Sequence, residues 1–84
     1  MNLENFEKTW EREIKKSDYI VIYLKNGAVI NTEKYEILSS RDIMLWFQDH
    51  WIALVRIGSI KSIEGRTWIY GKINGEIHTA YGGD

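Results

Sequence analysis

The 84-residue chain contains no cysteine and no proline, and its only histidines are His50 and His78. Without thiols there is neither a disulfide framework nor a thiolate zinc site, and two imidazoles are too few for the usual metal-ligand sets. A basic excess is missing too: 11 Lys and Arg stand against 12 Asp and Glu, for a formal net charge of −1. Affinity for duplex nucleic acid comes largely from many phosphate contacts, so any nucleic-acid role has to be local rather than spread over a basic face. No apolar run approaches the roughly 18 residues of a transmembrane helix. Met1-Asn2-Leu3-Glu4 lacks the basic start and apolar middle of a signal peptide, so a cytoplasmic location without membrane association is expected. There is no nucleophile elbow, no phosphate loop and no pair of carboxylates on a common scaffold. The expectation is a binding protein with no cofactor, not an enzyme.

What is present is apolar and aromatic. Hydrophobic residues make up 44% of the chain and aromatics 13%, with four Trp and five Tyr, which is the composition of a folded domain and not of a disordered tail. A chain of this length buries only about 60–65% of the surface its unfolded form exposes. Small domains without disulfides or metals often gain the missing stability by oligomerising.

Leu3, Phe6, Trp10 and Ile14 recur at helical spacing and predict an amphipathic helix over 3–16, with Asn2 as N-cap and Glu4–Lys8 and Glu11–Lys15 as i,i+4 pairs. From Tyr19 the period changes to two. Ile20, Ile22 and Leu24 share one face and Tyr19, Val21 and Tyr23 the other, so this strand carries apolar groups on both sides. Asn26-Gly27 reads as a two-residue type I′ hairpin turn, leading into a long second strand through Leu38. Ser39–Asp42 breaks the pattern, and a third strand follows over 43–47. Trp51–Ile57 is apolar on both faces, as in a strand that is covered on each side or paired with another subunit. Gly58-Ser59 turns the chain into a brief fifth strand over 60–63. A further hairpin over 66–81, centred on Asn74-Gly75, looks like an appendage, and Gly82-Gly83-Asp84 is expected to fray. One helix followed by closely spaced antiparallel strands makes a mainly β single domain, 1–84.

The helix, a strand ending in Leu24-Lys25-Asn26-Gly27, Ile30 and Ile37 at three and ten residues beyond Gly27, Asp42, Ile43 and Leu45 further on, and the closing Arg56-Ile57-Gly58-Ser59-Ile60 with Ile63 together resemble the Sm-like (Hfq-like) small β-barrel family over roughly residues 3–64. The resemblance implies a helix over 3–16, a strongly bent five-stranded antiparallel barrel over 19–64 of the Sm-like, SH3-like type, and the additional C-terminal hairpin over 66–81. It implies a ring-forming homo-oligomer binding single-stranded RNA or a nucleotide at a pore or subunit-interface site, with Arg41, Asp42, Arg56 and Ser59 brought together. Thr32 stands where the family usually has Gly, Lys34 where it has an apolar residue, Leu38 where it has Asp, and Arg41 where it has Met or an aromatic. The glycine of the second motif is displaced to Gly58. The resemblance therefore bears on fold and ring assembly more than on the ligand.

Two accounts of the site stand side by side. Arg41 and Arg56 can stack on bases while Asp42 and Ser59 read base edges; equally, Arg41-Asp42 is a solvated turn and Arg56 snorkels from a buried strand or pairs with an acid. Trp46, Trp51, Trp68, Tyr23, Tyr35 and Tyr70 are either stacking platforms or core and interface residues. The two-faced strand, through Trp51, Ile52, Leu54 and Val55 together with Ile60 and Ile63, is the expected oligomer interface. A second functional class is open: a protein-binding or inhibitory module of the kind carried by phages and mobile elements, masking a partner or sequestering a small signalling nucleotide.

Overall fold

The computed structural model describes residues 1–73 and 76–81, with side chains through Trp68. The predicted Asn74-Gly75 turn, the terminal Gly82–Asp84 and the side chains of Tyr70 and His78 lie outside the described residues.

The helix, α1, spans Leu3–Ile14 and is capped as its sequence dictates: the Asn2 side chain accepts a hydrogen bond from Asn5 N at 2.8 Å. It ends two residues earlier than the spacing predicts, with Lys15 as C-cap and Ser17 N donating to Ile14 O at 3.2 Å. Both surface pairs form, Lys8–Glu4 at 3.1 Å and Lys15–Glu11 at 3.6 Å. The apolar stripe docks. Phe6 and Trp10 are buried, Leu3 and Ile14 partly so, and each fully buried large apolar side chain contributes about 1.5–3 kcal/mol. Tyr35 closes this contact edge-on, its ring 4.9 Å from Phe6 and 4.8 Å from Trp10.

Six antiparallel strands follow in two three-stranded sheets, with no closed barrel among the described residues. β1 (Tyr19–Leu24), β2 (Val29–Thr32) and β6 (Ile60–Arg66) form the first sheet in the order β2-β1-β6. β3 (Lys34–Ile37), β4 (Asp42–Phe47) and β5 (His50–Arg56) form the second in the order β3-β4-β5. The long second strand read from the sequence is therefore two strands, broken at Glu33, which passes the chain from one sheet to the other. Thr32 makes the corner. It is fully buried, and its Oγ1 lies 2.8 Å from Trp46 O and 3.0 Å from Lys34 O, so its hydroxyl proton is shared between two carbonyls. Glu33 N also donates to Trp46 O at 2.8 Å.

The hairpin at Asn26-Gly27 is present, but not as the expected type I′ turn. Gly27 has φ +92° while Asn26 stays at negative φ; Gly27 N donates to Leu24 O at 3.0 Å and Leu24 N to Ala28 O at 2.9 Å. This is a three-residue loop with glycine at the left-handed position, and Asn26 Oδ1 accepts from Ala28 N at 2.9 Å. The two-residue turn with positive φ at both positions occurs instead at Gln48 (φ +50°) and Asp49 (φ +62°), between β4 and β5. Glu33 Oε1 accepts from Gln48 N there at 2.6 Å.

The core lies between the sheets and under α1: Ile20 and Ile22 of β1, Ile43 and Leu45 of β4, Val55 of β5, Ile57, and Ile60 and Ile63 of β6. β1 is buried on its second face as well, where Tyr19 packs against Trp68 at 4.8 Å between centroids. Gly65 of β6 passes so close to the end of α1 that a Cβ there would lie 2.6 Å from Glu13 O and 2.8 Å from Ser17 Cβ. The strand predicted over 60–63 extends to Arg66, and β7 (Trp68–Ile73) pairs with β8 (Glu76–Tyr81) as a separate two-stranded sheet. Trp68 N donates to Asp18 Oδ2 at 2.8 Å and anchors its root. Among the described residues no helix is long and apolar enough to cross a membrane.

Candidate functional site

The β4–β5 ladder pairs Asp42 with Arg56, so two of the four predicted site residues face each other across adjacent strands. Arg56 Nε lies 3.8 Å from Asp42 Oδ1. Both side chains are substantially exposed, and such a pair contributes at most about 1 kcal/mol. Its effect is to orient the Arg56 guanidinium, not to neutralise it in a dry pocket.

Arg41 is held by its backbone. The loop before β4 is folded around Ser39, whose Oγ accepts from Arg41 N and Asp42 N, each at 3.1 Å, and donates to Asp42 Oδ2 at 3.2 Å. Such short polar loops are built by side chain-to-backbone bonds of this kind. Ile57 N then donates to Arg41 O at 2.8 Å, which ties the loop to the one-turn 3₁₀ helix Ile57–Ser59 that follows β5. Arg41 and Arg56 consequently line one groove of about 400 Å³, whose other walls are Met1, Asn2, Ser40, Ile57 and Gly58. Two exposed guanidinium groups stand beside the N-terminus of α1, which carries partial positive charge. Met1 adds a half-buried apolar side chain alongside, Ile57 itself being buried in the core. Such a groove suits an anion attached to a flat or apolar body.

Ser59 is not brought into this groove. It is exposed, and its carbonyl accepts from Lys25 N at 2.9 Å, which places it beside the β1–β2 loop. Sequence reasoning missed Met1, Asn2 and Ser39. Asn2 was legible only as a helix cap, and its place in the groove follows from how α1 docks.

The predicted oligomer residues divide. Val55, Ile60 and Ile63 are buried in the chain's own core, at 7%, 1% and 7% exposure. Trp51, Ile52 and Leu54 are exposed, at 51%, 39% and 58%. They lie on β5, which among the described residues has a strand neighbour on one side only and so ends its sheet. His50 opens the same strand, paired with Phe47 and exposed.

The aromatic residues have distinct partners. Tyr35 packs with Phe6 and Trp10; burial, and then the charges of Glu7 and Glu11, push its phenol above the ordinary tyrosine value. Tyr23 OH donates to Glu64 Oε1 at 3.0 Å and accepts from Arg66 Nη2 at 3.2 Å. Those bonds from Glu64 and Tyr23 hold the Arg66 guanidinium still more firmly protonated than usual. Trp68 packs on Tyr19 and Phe47. Trp46 is half-buried, with the Lys34 ammonium 5.1 Å from its ring centroid.

No protein-family model, no characterised protein and no solved structure matches this chain.

Proposed function

We propose that the chain is an Sm-like homo-oligomeric binding protein for single-stranded RNA or a nucleotide ligand, held in a pore-side or subunit-interface groove by Arg41 and Arg56, with Asp42 orienting Arg56. The observation that carries this reading is the strand order: a bent β2/β3 run shared by two sheets, a one-turn 3₁₀ helix joining β5 to β6, and β5 left as an exposed apolar edge. Of the strands that end the two sheets, β5 is the one that carries Trp51, Ile52 and Leu54 exposed, and it is the edge offered to the next copy. Burying Trp51, Ile52 and Leu54 supplies the driving force. The groove ends at Arg56, the last residue of that edge, so association of copies brings several Arg41/Arg56 pairs near one another, and weak contacts to one strand then add. The chemistry is recognition rather than catalysis.

The test joins two measurements. Size-exclusion chromatography with light scattering at tens of micromolar is expected to give an oligomeric mass. Filter binding at low salt is expected to retain U-rich or A-rich oligonucleotides, with retention lost in Arg41→Ala/Arg56→Ala. A monomer that retains neither oligonucleotide refutes the proposal.

The exposed apolar residues Val29, Ile37, Leu38, Trp51, Ile52 and Leu54 favour a second reading, in which the same domain covers a protein partner. Affinity capture from nuclease-treated lysate separates the two. Stoichiometric protein partners that survive nuclease and require Leu54 favour this reading, whereas loss of everything on nuclease treatment favours the first.

A further inference from the structure

We infer that the corner formed by Trp46 and Lys34 is a separate site for one unpaired nucleobase, preferring a base that presents amino and imino N–H donors side by side, as guanine does. The inference deepens the nucleotide-binding reading and rests on it, but it uses none of the residues of the Arg41/Arg56 groove. Lys34 and Trp46 are cross-strand partners on β3 and β4. The ammonium lies 5.1 Å from the indole centroid, within cation–π range, and fixes the ring. Two concavities flank that ring. One, of about 260 Å³, is bounded by Glu33, Lys34, Trp46, Phe47, Gln48 and Asp49. The other, of about 300 Å³, lies between Lys34, Tyr35, Glu36 and Trp46. Both fall at or below the lower end of the range for drug-sized ligands, roughly 300–1,000 Å³, and suit a single base.

Charge decides which part of a nucleotide sits here. Glu33 and Asp49 line one concavity and Glu36 the other, three carboxylates against the one ammonium of Lys34, so a phosphate is repelled while a neutral base edge rich in donors is not. Glu33 has one oxygen committed to Gln48 N at 2.6 Å, leaving the other to accept. Asp49 stands exposed on the turn that the Glu33–Gln48 bond braces. A carboxylate accepts two parallel hydrogen bonds from guanine's imino and amino groups, one amino group from adenine or cytosine, and one imino group from uracil. The Arg41/Arg56 groove has the opposite character. It lies at the other end of β4, four residues from Trp46 to Asp42, or about 13 Å along the strand.

The experiment titrates the full chain with each of the four ribonucleoside monophosphates and follows tryptophan emission. Stacking on the ring is open to every base and sets the quench, whereas the second hydrogen bond that guanine makes to the carboxylate contributes about tenfold, so the guanine nucleotide is expected to quench emission and to bind at least about fivefold more tightly than the uracil one. Trp46→Phe is expected to remove most of the quench. Asp49→Asn is expected to abolish the guanine preference while keeping the fold, because Asn tolerates the left-handed backbone at that position. Arg41→Ala/Arg56→Ala is expected to leave the guanine response intact. The inference is overturned by equal affinities for guanine and uracil nucleotides, by no response to any of the four, by a quench that survives Trp46→Phe, or by loss of the response when the two arginines are replaced. Failure of oligonucleotide retention with a preserved guanine response counts against the RNA reading alone.

Discussion

Replacing Trp51 and Leu54 together by threonine tests whether β5 is an association edge. The double variant removes apolar area without adding charge and keeps strand propensity. Trp51 is 51% exposed and Leu54 58%. A buried Trp hides about 150–250 Å², so covering the exposed half of Trp51 is worth about 2–3 kcal/mol at roughly 25 cal/mol per Å². Covering the exposed part of Leu54 adds about 1–2 kcal/mol by the same measure. Losing both weakens self-association by about two to three orders of magnitude, somewhat less because threonine retains part of the area. The monomer itself is expected to change by no more than about 0.5 kcal/mol, since neither side chain is in its core. Sedimentation velocity over a concentration series, with urea unfolding in parallel, reads both quantities. Unchanged association at unchanged urea midpoint refutes the edge argument. A collapsed midpoint refutes the claim that these side chains stand outside the folded monomer.

Three further outcomes follow from particular contacts. Gly65→Ala sets a Cβ against Ser17 Oγ and within 2.6 Å of Glu13 O; the overlap costs about 1–3 kcal/mol, offset by about 0.4–1 kcal/mol from a stiffer unfolded chain. A urea midpoint at or above the wild-type value contradicts it. The Glu13 carboxyl is held below its ordinary value, first by the Gly65 N–H bond and then by Arg12. Stability from that carboxylate is therefore present above the unfolded-state value of about 4.3 and lost as pH falls through the lowered folded-state value. Glu13→Gln should accordingly flatten the acid limb of stability, and parallel curves between about pH 6 and pH 2 for the two proteins count against it. Thr32→Val removes the buried hydroxyl shared by Trp46 O and Lys34 O. The expected cost is about 1–2 kcal/mol, or roughly 4–16 °C in Tm by calorimetry; an unshifted Tm refutes the role of the hydroxyl at the corner.

The helix was readable because its evidence is local: the Leu3–Phe6–Trp10–Ile14 stripe, the Asn2 cap and the charge pairs lie within one turn of each other. β1 was readable for the same reason. Turn type was not. A two-residue loop and a three-residue loop both place glycine at Gly27, and the choice between them is made by pairing of Leu24 with Ala28. The left-handed Gln48-Asp49 pair left no local mark either, because the bond that braces it comes from Glu33, fifteen residues away. The apolar run 51–57 reads the same whether β5 is covered or exposed, and only the strand order reveals the free edge. At the site, Asp42 and Arg56 were grouped only by the resemblance, and it is the β4–β5 register that sets them opposite each other. The wall made by Met1 and Asn2 depends on how a helix sits on a sheet, which residue spacing does not encode. Thr32, a departure from the Sm-like pattern, has a structural account: its hydroxyl binds two carbonyls at the bend where a glycine would bend by backbone freedom alone.

That one-residue corner also sets a length rule for the molecule. The chain leaves the first sheet at Thr32 and enters the second at Lys34, with no slack to absorb a change. Adding or deleting a single residue there would shift β3 against β4 by one position, and a shift of one exchanges the two faces of a strand. Tyr35 would turn outward, Lys34 and Glu36 would turn toward Phe6 and Trp10, and the docking of α1 would fail with them. Insertions that loops elsewhere in the chain accommodate would be fatal between residues 32 and 34, so a random insertion library selected for folding should show an empty window at that position.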